Sequence, residues 1–136
     1  MRILLVEDLR ADALLFHEAL RDAGLGEDLL LAHDGREALD MLGTAPAPDL
    51  VLLDLNLPRM SGREVLDELR RDPRLHTLPV IVLTTSSSPH DVAFAYRHHA
   101  NAYVRKPNGF HALAAVAQAI RDFWGRTATL PAALHA

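Results

Sequence analysis

Four short apolar runs, Ile3–Val6, Leu29–Ala32, Leu50–Leu53 and Val80–Leu83, constrain this chain more than any other feature. Each is bounded by turn-forming or charged residues and is too short for a helix, so each reads as a buried strand. A weaker fifth run, Ala102–Val104, lies between Asn101 and the basic pair Arg105–Lys106 and reads as a strand too. Between the runs the apolar period lengthens to that of a helix, as in Ala13, Phe16, Leu20 and Ala23, and later in Leu113, Val116, Ile120 and Trp124. Helix ends are marked as well. Gly24 and Gly26 follow the first helix, Asp34 precedes a second at Gly35–Leu42, and Gly62 opens a third that runs to Arg71 before Pro73. Ser88 as cap, Pro89 in the first helical position and Asp91 three residues after Ser88 open a fourth, close to a capping box. Strand and helix thus alternate five times, which predicts an α/β fold: a doubly wound parallel sheet with helices on both faces and right-handed crossovers.

Composition narrows the functional classes. The 136 residues suit one domain. With no cysteine, disulfide frameworks and thiolate zinc sites are excluded, and the cytoplasm is the expected compartment. Acidic residues outnumber basic ones, 18 to 14, and no run of Lys and Arg exceeds two, so no clustered basic face for DNA is expected. Ile3–Val6 is interrupted by Glu7 and Asp8 before a signal peptide can be built, and no stretch approaches a membrane span. Eight histidines are scattered, with His98 and His99 adjacent and so on different helix faces, which argues against a histidine metal site. Gly24-Leu25-Gly26 lacks the spacing of a phosphate loop and reads as a helix stop.

Ligands of open parallel sheets bind at the carboxyl ends of the strands. The unusual polar residues fall there: Glu7 and Asp8 after the first strand, Asp54 after the third, Thr84, Thr85 and Ser86 after the fourth, and Lys106 after the fifth. Three carboxylates about 6 Å apart repel by roughly 3 kcal/mol per pair at an effective dielectric near 20, more than one lysine offsets. A divalent cation is the natural complement, and oxygen-only ligands with water access favour Mg2+. Cation, lysine, hydroxyl and carboxylate are the parts of a phosphoryl-transfer site. Asp8 leads into a helix and has a capping role as its plain alternative. Asp54 precedes Leu55-Asn56-Leu57-Pro58, which is no helix start, so Asp54 is the expected nucleophile. Glu7, Asp8, Asp54 and the Asn56 carbonyl are the expected metal ligands.

Val6-Glu7-Asp8, Leu53-Asp54-Leu55-Asn56-Leu57-Pro58-Arg59-Met60-Ser61-Gly62, Leu83-Thr84-Thr85 and Tyr103-Val104-Arg105-Lys106-Pro107 resemble the signature blocks of two-component response-regulator receiver domains over about residues 2–124. The resemblance implies a flavodoxin-like (βα)5 fold with strand order 2-1-3-4-5 and a receiver domain over 1–124; the segment 125–136, which has no clear period and contains Pro131, reads as a flexible tail. It implies a phosphoryl group passed from a sensor histidine kinase to Asp54, Mg2+ on Glu7 and Asp8, Lys106 paired with the acyl phosphate, and Thr84 and Tyr103 as switch residues. Asn56, Thr85 and Ser86 stand where the family tunes dephosphorylation. Leu55-Asn56-Leu57-Pro58, Thr84-Thr85-Ser86 and Phe123-Trp124 narrow the likeness to small stand-alone regulators of bacterial phytochrome kinases.

The expected activity is a signalling switch rather than an enzyme, acting on a downstream protein or phosphotransfer protein. The aromatic residues Phe94, Tyr96, Tyr103, Phe123 and Trp124 suggest a homodimer through the fourth helix, fifth strand and fifth helix. Two rivals stand beside it. A magnesium-dependent aspartyl-phosphate phosphatase or phosphotransferase would want a second acid two residues after the nucleophile, where this chain has Asn56, and a cap for its substrate. A pseudo-receiver scaffold would not need the full set Asp8, Asp54, Thr84 and Lys106.

Overall fold

The computed structural model describes residues 1–44 and 46–131. Five strands, β1 (Ile3–Val6), β2 (Leu29–Ala32), β3 (Leu50–Leu53), β4 (Val80–Thr84) and β5 (Ala102–Arg105), alternate with α1 (Arg10–Asp22), α2 (Gly35–Leu42), α3 (Gly62–Arg71), α4 (Pro89–Arg97) and α5 (Phe110–Ile120). All strand pairs are parallel, and the order is β2-β1-β3-β4-β5, as the resemblance implied. β4 and β5 each run one residue beyond the predicted ends. Thr84 therefore pairs in register with Arg105, and the Lys106 N–H donates to the Thr84 carbonyl at 2.7 Å.

Successive strand residues point to opposite faces, and the core divides accordingly. Leu4, Val6, Val51, Leu53, Val80 and Val82 pack with α2, α3 and α4 through Ala38, Leu42, Val65, Leu66, Leu69 and Ala95. Ile3, Leu5, Leu50, Leu52, Ile81 and Leu83 pack on the other face with α1 and α5 through Phe16, Ala19, Leu20, Ala117 and Ile120. The central strands are covered on both sides, which is why they read as unbroken apolar runs.

Local signals act as expected at two helix starts. Asp34 caps α2, accepting from the Glu37 N–H at 2.8 Å, and Ser61 caps α3, accepting from the Glu64 N–H at 3.2 Å. The α4 start departs from a capping box. Ser88 accepts from the His90 N–H, but Asp91 does not reach back to the cap, because Ser86 and Arg63 engage its carboxylate. Helical chain continues past α5 as a wide π-type segment, Arg121–Thr127, across the expected boundary at 124. Residues 125–127 of that segment are exposed. The rest of the tail expectation, over 132–136, lies outside the described residues. Among those described, no helix is long and apolar enough to cross a membrane.

Candidate functional site

Register assembles the site. Val6 pairs with Leu53, so Glu7 and Asp54, each one residue further on, lie side by side at the carboxyl edge of the sheet. Thr84 ends β4 next door, and Lys106 lies one step past its partner Arg105. The carboxylates of Glu7, Asp8 and Asp54 offer oxygens that all lie within 4.8 Å of one another. Glu7 and Asp54 are buried and Asp8 is half-buried.

Asp8 does not cap α1. The cap position is Leu9, with no side-chain hydrogen bond, and this removes the plain alternative for an acid at that place. Glu7 accepts from the Leu9 N–H at 3.1 Å, which fixes its orientation. Burial pushes the Glu7 carboxyl above its ordinary value, against the lowering effect of its hydrogen bond to Lys106.

Lys106 is the counter-charge. Its ammonium donates to Glu7 and, at 3.1 Å, to Asp54, and it lies 3.7 Å from Asp12 on α1. Burial works to lower its pKa, but the hydrogen bond to Glu7 and the charges of Asp54 and Glu7 outweigh it and hold the pKa above its ordinary value. One lysine among three clustered carboxylates leaves the site under-neutralised. Three carboxylates with oxygen-only donors suit a hard divalent cation.

The Thr84 hydroxyl is the clearest sign of a missing ligand group. Thr84 is fully buried, and its Oγ1 has no hydrogen-bond partner among the described residues. An orphaned buried hydroxyl costs about 1–3 kcal/mol unless a ligand satisfies it. A phosphoryl oxygen on Asp54, one strand away, is such an acceptor.

The loop after Asp54 is held from below. The Asn56 N–H donates to Asp54 Oδ1 at 3.1 Å, and the Gly62 N–H to the Leu55 carbonyl at 3.0 Å. A Cβ at Gly62 would collide with the Asp54 carbonyl oxygen, so only glycine lets α3 start so close to the acid. Asn56 itself is exposed.

Thr85 is exposed and lines a cleft of about 180 Å³ beside the site, together with Glu7, Asp12, Lys106 and Asn108. Ser86 sits at a junction that sequence reasoning did not find. Its hydroxyl donates to Asp91 at 2.6 Å, Asp91 pairs with Arg63 of α3, and its carbonyl accepts from the Tyr103 hydroxyl at 2.8 Å. Tyr103 thus lies half-buried, packed against the core, with its hydroxyl tied to the β4–α4 loop. Among the expected residues, Asn56 and Thr85 alone lie on the exposed rim. The near-capping-box spacing of Asp91 was the sole sequence hint of the junction, and it pointed to the wrong partner.

A family model described as the response regulator receiver domain matches residues 3–118. The chain is 43% identical to the response regulator Rcp1 of Synechocystis sp., covering 96% of this chain and 93% of the relative. It is similar to the Mn2+-bound crystal structure of Rcp1, with a TM-score of 0.88 over 96% of this chain and 98% of that one. It is likewise similar to the phosphorylated cyanobacterial phytochrome response regulator RcpA, at 42% identity and a TM-score of 0.90, again over 96% and 98% of the two chains. The bacteriophytochrome response regulator RtBRR is 35% identical, with a TM-score of 0.73 over 97% of this chain and 84% of that one.

Proposed function

The chain belongs to the response regulator receiver domain family, and from that premise we propose that it takes a phosphoryl group onto Asp54 from a phosphohistidine of a sensor histidine kinase. The observation that carries this reading is the buried, partnerless Thr84 hydroxyl one strand from an acid that Lys106 already touches. In the transfer an Asp54 carboxylate oxygen forms the new bond to phosphorus. The bond from phosphorus to the imidazole nitrogen breaks, and the leaving imidazole takes a proton from water.

Lys106 exchanges one carboxylate partner for a phosphoryl oxygen, and Thr84 turns its hydroxyl onto another. Glu7, Asp8, Asp54 and the Asn56 carbonyl are the proposed holders of Mg2+. When bound, that ion neutralises charge on the phosphoryl oxygens and on the three acids. Asn56, Thr85 and Ser86 are the proposed tuners of hydrolysis, since Asn56 stands two residues beyond Asp54, and Thr85 and Ser86 directly follow Thr84.

Movement of Thr84 pulls on the β4–α4 loop, and Ser86 passes that pull to Tyr103 and α4. The output is a shift between two arrangements of the face built from α4, β5 and α5, read by a downstream protein or phosphotransfer protein. The same face is the proposed homodimer surface, on which Tyr96 is half exposed. RcpA and RtBRR are described as phytochrome response regulators, and their similarity to this chain supports a bacterial phytochrome as the partner kinase. The cytoplasm is the proposed compartment.

Incubation with phosphoramidate and Mg2+, followed by intact-mass measurement, tests the reading. The expected result is a gain of one phosphoryl group that Asp54→Asn abolishes. No gain in the wild type would favour the scaffold, and repeated turnover of a phosphorylated substrate would favour the phosphatase or phosphotransferase.

A further inference from the structure

The loop between β3 and α3 begins at Asp54, carries the Asn56 carbonyl and holds a strained turn. The Met60 N–H donates to the Pro58 carbonyl at 2.7 Å, closing a three-residue turn centred on Arg59, whose φ is 62°. Left-handed backbone is costly for a residue with a long side chain and persists only where its surroundings hold it. Two contacts with the start of α2 do so. The Arg59 guanidinium pairs with the carboxylate of Asp34, the cap of α2, which is buried and also accepts from the Glu37 N–H. Beside that pair, Gly35 packs so closely on the Met60 carbonyl that a Cβ there would collide with it.

At the base of the loop, the Asn56 N–H donates to Asp54 Oδ1 at 3.1 Å, and the Gly62 N–H closes onto the Leu55 carbonyl at 3.0 Å. The backbone between them is set at its base by Asp54 and Leu55 and at its tip by Asp34. A carbonyl ligand has no rotamer of its own, so its direction is that of the peptide plane the loop imposes. We propose that Arg59, through its pair with Asp34, is a positioning residue for the divalent cation: it holds the loop in the arrangement that presents the Asn56 carbonyl, and so strengthens Mg2+ binding. This role rests on the reading of the Asn56 carbonyl as a ligand. Charge alone works the other way. A guanidinium repels a cation, so its removal would by charge strengthen Mg2+ binding, whereas loss of positioning weakens it.

Mg2+ is titrated into the wild type, Arg59→Asn, Arg59→Lys, Asp34→Asn and the double variant Arg59→Asn/Asp34→Asn at constant ionic strength. Amide NMR shifts of Glu7, Asp8 and Asp54 report binding, and the Leu57 amide, which shares a peptide plane with the Asn56 carbonyl, reports that ligand. Asparagine tolerates left-handed backbone and lacks the charge. Arg59→Asn is expected to weaken Mg2+ binding about tenfold, the low end of what contacts supporting metal ligands contribute. Arg59→Lys keeps a charge facing Asp34 and is expected to recover most of that loss. Asp34→Asn keeps a capping oxygen and is expected to weaken binding by a similar factor, and the double variant no further than either alone. Binding that is unchanged or stronger in Arg59→Asn overturns the proposal, as does a lysine that recovers nothing or a double variant whose losses add. Dispersed spectra identify folded protein; where Asp34→Asn does not fold, the two Arg59 variants decide. A wild type whose Leu57 amide does not move with Mg2+ overturns the carbonyl reading and this proposal with it. A Leu57 amide that moves, with Mg2+ affinity unaltered in Arg59→Asn, overturns this proposal alone.

Discussion

The Tyr103 hydroxyl donates a 2.8 Å hydrogen bond to the carbonyl of Ser86, tying the exposed edge strand to the loop that follows the orphaned Thr84. This bond joins the chemistry at the carboxyl edge of the sheet to the face of α4, β5 and α5. Tyr103→Phe keeps the ring and removes the bond, so it should cost about 1 kcal/mol of stability. Chemical denaturation measures that loss. The variant should still accept phosphate, while amide exchange in the loop after Thr84 becomes faster and less sensitive to phosphorylation.

The Ser86–Asp91–Arg63 junction should hold the start of α4 to the start of α3. Ser86→Ala removes the 2.6 Å bond to Asp91 and the acceptor of the Ser88 N–H. About 1 kcal/mol of stability should be lost, with faster amide exchange confined to the β4–α4 loop and the first turn of α4. Unchanged exchange there, measured by mass spectrometry, would remove Ser86 from the path between Thr84 and α4.

Acid should weaken the fold through Asp34. The Glu37 N–H, followed by the Arg59 guanidinium, holds its carboxyl below the ordinary value of 3.8. Because the folded value is the lower one, this contribution is present above pH 3.8 and lost as pH falls through the folded value. Asp34→Asn should therefore be less stable than wild type at neutral pH, with the gap closing as acid is added below that point. Denaturation midpoints across the acid range check it; a gap that widens toward low pH would contradict it.

Lys106→Met should likewise show a defect at neutral pH that acid partly repairs, here through the site itself. The substitution leaves the Glu7 and Asp54 carboxylates facing each other without their ammonium partner. Breaking a buried pair in this way costs roughly 3 kcal/mol. Protonation of Glu7, whose carboxyl burial already pushes upward, should recover part of it as pH falls. Added Mg2+ should also recover part of it, by binding the folded state. Thermal melting with and without Mg2+ at two pH values reads both effects.

Much of the site was legible because strand ends are legible. Glu7, Asp54, Thr84 and Lys106 each close a short apolar run, and parallel register carries four such ends to one edge. The contacts between helices left no such mark. Arg63 and Asp91 are separated by 28 positions, and each looks in sequence like an ordinary solvated charge. Arg70 is similar: it reads as a surface arginine near the end of α3, yet its guanidinium donates to the carbonyls of His76, Leu78, His98 and His99. Asp12 was hidden for the same reason, as one polar residue in the first turn of a helix. The helical run to Thr127 left no mark in the sequence because a π-type segment shifts the apolar period.

Asp54 is the proposed phosphoacceptor. Borohydride reduction of the phosphorylated protein converts an acyl phosphate to an alcohol and marks the acceptor permanently, and peptide sequencing by mass spectrometry then locates the mark. Homoserine is expected in place of Asp54, with Glu7, Asp8 and Asp12 unaltered. An intact Asp54, with the mark on another acid or the phosphate on a histidine, would contradict it.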